Sequence, residues 1–268
     1  MTKINKCKIV SSSIASIYNK PSFSSELITQ ALIWEKLIVI DRKDNWYKVI
    51  LRDGYIGWIH SFYLTKADTY DQNPFLKNKN NWYWVKDKFL LLSLDDNSTK
   101  IISYGSLIPC FEENNIFFTL LPNEQKIKVD KKALVSLTEN NKFKKNIVYS
   151  MGQLINTPYL WGGKSFLGFD CSGLVQSILN ICNVKLPRDS SEQILSNKII
   201  ENTNEPNIGD LIFFKSNSVV DHVGLYVNKF EFIHSSGYVK LNSVNNKNEN
   251  YCPVLSEKHF KTFKIINT

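Results

Sequence analysis

One cysteine and two histidines are the residues of this chain whose types and spacing point to chemistry. Cys171 lies in GFDCSGLVQSIL, residues 168–179. Leu174, Val175, Ile178 and Leu179 follow it at helical spacing, so Cys171 falls in the first turn of an amphipathic helix. Helix N-termini carry partial positive charge and N–H groups without intrahelical acceptors, which favours thiolate, the reactive form. Asp170 is placed to cap that helix, and its carboxylate pushes the thiol the other way. A cysteine nucleophile needs a base. Four histidines are present, His60, His222, His234 and His259. His222 and His234 lie in consecutive strand-like runs, HVGLYV and FEFIHSS, equidistant from Asn228. A hairpin centred there sets them directly opposite each other on one sheet face, with Cβ atoms about 4.5–5.5 Å apart. One histidine then acts on the thiol while the other orients it; the spacing leaves open which. Singly, a cysteine reads as a small buried hydrophobe and a strand histidine as packing. Together at this spacing they point to nucleophilic catalysis.

The elements that must position these residues form the last of three zones. The first, residues 8–66, has short runs rich in Ile, Val, Trp and Tyr (KLIVIDR, WYKVILRD, YIGWIHSFYL), broken by RKDN and DG. Short strands at this spacing predict a small β-barrel. The second zone, residues 80–138, repeats the style in NWYWVKD, FLLLSL, IISYGSLIPCF and IFFTLL, and predicts a second, divergent barrel. The polar stretch ADTYDQNPFLKNKN between them reads as a linker. The third zone starts near Asn140 and is assigned to residues 142–265. NKFKKNIVYSMGQLIN has helical periodicity and is ended by Thr-Pro; CSGLVQSILNIC is the second helix; DLIFFK, HVGLYV and FEFIHSS are strands. Helices followed by strands predict an α+β domain. The Asn- and Lys-rich tail after SSGYVKLNSVNNKNENYCP carries little signal. His259, within it, reads as non-catalytic, and His60 as surface packing.

Composition narrows the function classes. With 268 residues and 43% hydrophobic content, the chain can bury one large core or two to three small ones. No run of roughly 18 apolar residues occurs, so no membrane-spanning helix is expected. The N-terminal apolar stretch is short and broken by serines, so a secretory signal is not expected and a cytoplasmic location is. Cys7, Cys110, Cys171, Cys182 and Cys252 are odd in number and contain no CxxC pair, which argues against a disulfide framework or zinc knuckle. Their scatter fits reduced thiols. The net charge of +8 is spread without a dense basic block, so nucleic acid is not an expected partner. There is no HExxH, and LWGGKS lacks the first glycine of a phosphate loop, so neither a metal nor a nucleotide cofactor is expected.

The motifs PYLWGGKSFLGFDCSGLVQ, LPRDSSEQ, GDLIFF, DHVGLYV and FIHSSG occur in this order and resemble the NlpC-type cell-wall cysteine peptidases over about residues 142–265. The resemblance implies a papain-like core with Cys171 as nucleophile, His222 as general base and His234 as the third polar residue. Helix-start N–H groups near Cys171 and Ser172 would stabilise the oxyanion. The upstream barrels resemble bacterial SH3-like domains. Two of them before such a peptidase, without a signal, resemble the γ-D-glutamyl-L-diamino acid endopeptidases of murein-peptide recycling. Those enzymes cut after D-Glu in L-Ala-γ-D-Glu-diamino acid peptides with a free N-terminal alanine. The resemblance makes Asp189 the carboxylate for the substrate amine, and an ammonium in a closed pocket does need a counter-charge; the bland reading of Asp189 is a helix N-cap. It also makes Tyr159, Asp170 and Ser172 pocket residues. A tyrosine of the first barrel would reach the cleft, with Tyr55 in DGYIGW the best match, Tyr63 second and Glu26 a weaker polar contact.

The expected partner is thus a murein-derived peptide. Two other readings remain: an exported hydrolase of intact peptidoglycan, for which the barrels would be anchors, and a catalytically decayed SH3-like wall-binding protein. Asp189 and the unpromising N-terminus count against the first, the intact Cys–His–His set against the second.

Overall fold

The computed structural model describes residues 7–138 and 142–266. The N-terminal residues 1–6 and the start of the third zone near Asn140 lie outside them. The chain is α+β and divides into two compact units on either side of residue 139.

In the first unit, seven antiparallel strands between Cys7 and Lys66 form one sheet, in which Ile14–Tyr18 and Trp46–Ile50 flank Ile56–His60. Alternating residues, among them Ala15, Ile17, Val39 and Val49, enclose a core that excludes water. Residues 82–136 form a five-stranded sheet and a separate ladder pairing Phe89–Ser93 with Thr99–Ser103. The stretch read as a linker is folded. It forms helical turns Asp68–Gln72 and Pro74–Lys77, the second capped by Asn73, whose Oδ1 accepts from Phe75 N–H. Leu76 from this stretch is buried with Ile33 and Trp34, in the turn after the strand Leu27–Leu32, and with Trp82 and Leu121 of the following region. Trp34 Nε1 donates to the Leu120 carbonyl at 2.7 Å. Isolated apolar residues in a polar stretch gave no sign of this shared core. His60 is likewise not at the surface: it is 5% exposed, between Trp46 and Phe62, and its Nδ1 accepts from Phe62 N–H.

The second unit begins with α1 (Phe143–Leu154), then α2 (Cys171–Ile181) and α3 (Ser190–Gln193). Six strands follow: β1 (Ile199–Glu201), β2 (Leu211–Ser216), β3 (Val219–Tyr226), β4 (Phe232–Ser236), β5 (Tyr238–Asn242) and β6 (His259–Ile265), the last after α4 (Pro253–Lys258). The antiparallel sheet runs β1-β6-β2-β3-β4-β5. Leu174, Val175, Ile178 and Leu179 of α2 are fully buried, with α2 packed on β3 and β4. The tail that looked uninformative supplies β6, which pairs with both β1 and β2 inside the sheet. Its alternation is weak because only Thr262 is well buried.

Candidate active site

Cys171 opens α2, as its spacing predicted, and is 9% exposed. Asp170 is the N-cap: its Oδ1 accepts from Gly173 N–H at 2.7 Å, and its Oδ2 from Gly162 N–H at 3.0 Å. Gly173 is required here, because a Cβ would run into the Gly163 carbonyl and Asp170 Oδ1. Arg188, which sequence reasoning passed over, closes on the same carboxylate through Nη1 and Nη2, and its Nη1 also donates to Ser172 Oγ at 3.0 Å. Ser172 therefore faces the buried ion pair. Its carbonyl accepts from Gln193 Nε2 at 3.1 Å, which ties α3 to the start of α2.

The first turn of α2 is pinned to the strands that carry the histidines. Ser235 Oγ donates to the Phe169 carbonyl at 2.7 Å. The Cys171 thiol donates to the Asp221 carbonyl at 3.9 Å, and Val223 N–H faces the same sulfur. Asp221 and Val223 flank His222, so the nucleophile candidate meets β3 at that histidine.

His222 and His234 do share a face and touch, but not as direct cross-strand partners. The register pairs Leu225 with Ile233 and Tyr226 with Phe232, and so sets His234 opposite Gly224, diagonal to His222. The hairpin centre lies one residue beyond Asn228. Asn228 Oδ1 accepts from the N–H groups of Phe230 and Glu231, while Val227 N–H donates to the Glu231 carbonyl, closing a three-residue loop. The rings span the diagonal, perpendicular with centroids 5.0 Å apart, and His222 Nε2 lies 2.8 Å from His234 Nδ1. His234 Nε2 is in turn 2.8 Å from Asn242 Oδ1. Asn242 was not singled out in the sequence, where it stands in an asparagine-rich tail.

Burial sets the protonation states. It pushes the Cys171 thiol up to about 11, helped by the Asp170 carboxylate; the N–H groups of Val223 and Ser172 and the Arg188 guanidinium oppose it. The helix N-terminus therefore does not give a resting thiolate. Burial lowers His222 to about 3, reinforced by His234, Lys258 and Lys240. It lowers His234 to about 4, against the Asn242 hydrogen bond that favours the cation. Burial thus favours the neutral form of the thiol and of both imidazoles.

Tyr159 borders the same sulfur. Burial, with Cys171 and Asp170 behind it, pushes its phenol up to about 12. Its N–H donates to the Gly237 carbonyl at 3.0 Å, at the turn between β4 and β5. Asp189, half-buried, occupies the N-cap position of α3, yet its side chain makes no capping hydrogen bond. Asp189 thus holds the N-cap position that the bland reading gave it, without the capping bond. Tyr55 lies in the first unit at the end of a turn in which Leu51 N–H donates to its carbonyl, with Asp53 Oδ1 accepting from Tyr55 N–H. Tyr63 is half-buried beside the first-barrel core.

The chain is similar to known proteins over both units. The NlpC/P60 family matches residues 156–256, and the bacterial dipeptidyl-peptidase Sh3 domain matches residues 17–62. Over 231 residues the chain is 28% identical to a Bacillus cereus protein named gamma-D-glutamyl-L-lysine dipeptidyl-peptidase, covering 79% of this chain and 68% of that one. A Bacillus subtilis protein of the same name is 27% identical over 219 residues, with 77% and 71% covered. The crystal structure of an NlpC/P60 family protein from Bacillus cereus superposes with a TM-score of 0.83 at 22% identity, over 97% of this chain and 100% of that one, which shows a shared fold.

Proposed function

Since this chain carries an NlpC/P60 cysteine-peptidase domain behind a bacterial SH3 domain, we propose that it hydrolyses the γ-D-glutamyl to diamino-acid bond of murein peptides with a free N-terminal L-Ala. Its place is then wall-peptide recycling in the cytoplasm, where such soluble fragments would be degraded. The observation that carries the reading is the meeting of the Cys171 thiol with β3 at the residues flanking His222, whose far nitrogen is held by His234.

The chemistry follows from the neutral pair. His222 Nδ1 takes the thiol proton as Sγ attacks the γ-glutamyl carbonyl, forming a C–S bond and an oxyanion beside the first-turn N–H groups of α2. Collapse breaks the C–N bond, and the imidazolium hands its proton to the departing amine. Water, deprotonated by His222, then attacks the thioester and releases the acyl dipeptide and the thiol. Tyr159, Asp170 and Ser172 bound the acyl side, and Asp189 receives the alanine ammonium.

The test is incubation of the protein and a Cys171→Ala variant with L-Ala-γ-D-Glu-meso-diaminopimelate and its N-acetylated form, with products read by mass spectrometry. Cleavage confined to the free-amine peptide and abolished in the variant is the expected result. Equal cleavage of both forms would discard the amine pocket, and cleavage of neither would discard the substrate.

A further inference from the structure

We infer that Asn242 is a positioning residue of this site: its amide fixes the tautomers of His234 and His222, leaving Nδ1 of His222 as the unprotonated nitrogen. The inference rests on reading Cys171 and His222 as nucleophile and base.

Hydrogen-bond polarity carries the argument from one end to the other. The Asn250 carbonyl can only accept, and it already receives Ser243 N–H at 2.9 Å. The Asn242 group 3.1 Å from it is therefore the NH2, which turns Oδ1 toward His234. Oδ1 can only accept, so His234 Nε2 bears a hydrogen across the 2.8 Å contact. A neutral imidazole has one such hydrogen, so His234 Nδ1 offers a lone pair, and His222 Nε2 must donate to it at 2.8 Å. His222 has then spent its hydrogen on Nε2, and Nδ1 is free to take a proton.

The far end of the relay is anchored. Glu231 accepts from Asn250 Nδ2 at Oε1 and from Asn228 Nδ2 at Oε2, at 2.5 and 2.8 Å. The carboxylate thereby ties the β3–β4 loop to the segment carrying Asn250. Besides the Cys171 thiol, which meets β3 on either side of His222, Asp221 on β3, Lys240 on β5, and Cys252 and Lys258 at the two ends of α4 line one cavity with the rings. Burial and Lys240 disfavour imidazolium in both rings, and Lys258 in His222, which keeps each ring neutral and the one-hydrogen rule in force. Without the Asn242 acceptor, either nitrogen of His234 can carry the hydrogen, and His222 loses its single orientation.

The experiment compares wild type, Asn242→Leu and Asn242→Asp by 15N NMR of labelled histidines and by the pH dependence of kcat. The expected wild-type spectrum shows His222 protonated on Nε2 alone. Asn242→Leu shows both tautomers and loses at least about tenfold in kcat with KM nearly unchanged. Asn242→Asp keeps an acceptor and so the tautomer, recovers most of kcat, and moves the acid limb to higher pH because a carboxylate favours imidazolium. A folded Asn242→Leu with a wild-type spectrum and wild-type kcat overturns the inference. So does an Asn242→Asp protein with an unshifted acid limb, which covers the case of a leucine variant that does not fold. The spectra need no substrate, so a wrong peptide assignment leaves this outcome decidable: the tautomer then stands or falls alone.

Discussion

Arg188 holds Asp170 with two guanidinium nitrogens, 3.0 Å from Oδ1 and 2.5 Å from Oδ2, with the arginine side chain 1% exposed and the carboxylate side chain 11%. Asp170 immediately precedes Cys171, and the same carboxylate caps the helix that Cys171 opens. Arg188→Met leaves a buried carboxylate uncompensated and is expected to lower stability by about 3–5 kcal/mol. Asp170→Asn in that background restores part of it, because the amide oxygen can still cap α2. Urea unfolding of the two single variants and the double variant measures this; additive losses would mean that the pair is not coupled.

Asp189 should act on specificity. A charge-assisted hydrogen bond contributes about 1.5–3 kcal/mol, so Asp189→Asn is expected to reduce kcat/KM for the free-amine peptide by about 10- to 100-fold. The N-acetylated peptide should change little. An equal loss on both peptides would assign Asp189 a structural role.

Alkylation reports the state of the Cys171 thiol. With the thiol raised to about 11 by burial and Asp170, iodoacetamide should modify Cys171 slowly at pH 7 and progressively faster above pH 9. Arg188→Met removes an opposing cation and should displace the rise to still higher pH. A fast plateau already at pH 5 would instead show a thiolate–imidazolium pair in the resting protein.

Acid should weaken the second unit through His234. Its folded value, about 4, lies below the ordinary 6.5, and burial is the main cause. The unfolded chain therefore binds the proton more readily. Stability from the neutral ring is complete above pH 6.5 and is lost as pH falls toward 4, by up to about 1.4 kcal/mol per pH unit. His222, lowered for the same reason, adds to the slope. Melting curves from pH 7 to 4 should show a steeper decline for wild type than for His234→Gln; parallel declines would place the acid sensitivity elsewhere.

Local rules made much of this protein readable in one dimension. An apolar stripe at helical spacing put Cys171 in the first turn of α2, and that is where it lies. The even separation of His222 and His234 puts them on one sheet face only with an odd-residue loop, and the three-residue loop at Asn228 supplies it. Strand-rich runs marked both β-regions before residue 139, and motif order pointed to the peptidase fold. All of these depend on residues near one another in the chain.

What stayed hidden depended on distant partners. The one-residue shift of the hairpin arose from hydrogen bonds of the Asn228 side chain, and it turned a direct histidine pair into a diagonal one. Arg188 carries no local mark of burial; only the fold delivers it to Asp170. Asn242 looks like any other asparagine of its tail until β5 lies beside β4. The thiol's protonation state was also a tertiary matter. The helix terminus favoured thiolate, but desolvation depends on everything packed around Cys171, and it prevailed. Sequence by itself thus marked the candidate residues and placed Cys171 in the first turn of its helix, because periodicity is a property of the backbone. Register, burial and hydrogen-bond polarity were decided only by the folded chain, because each is set by groups far apart in sequence.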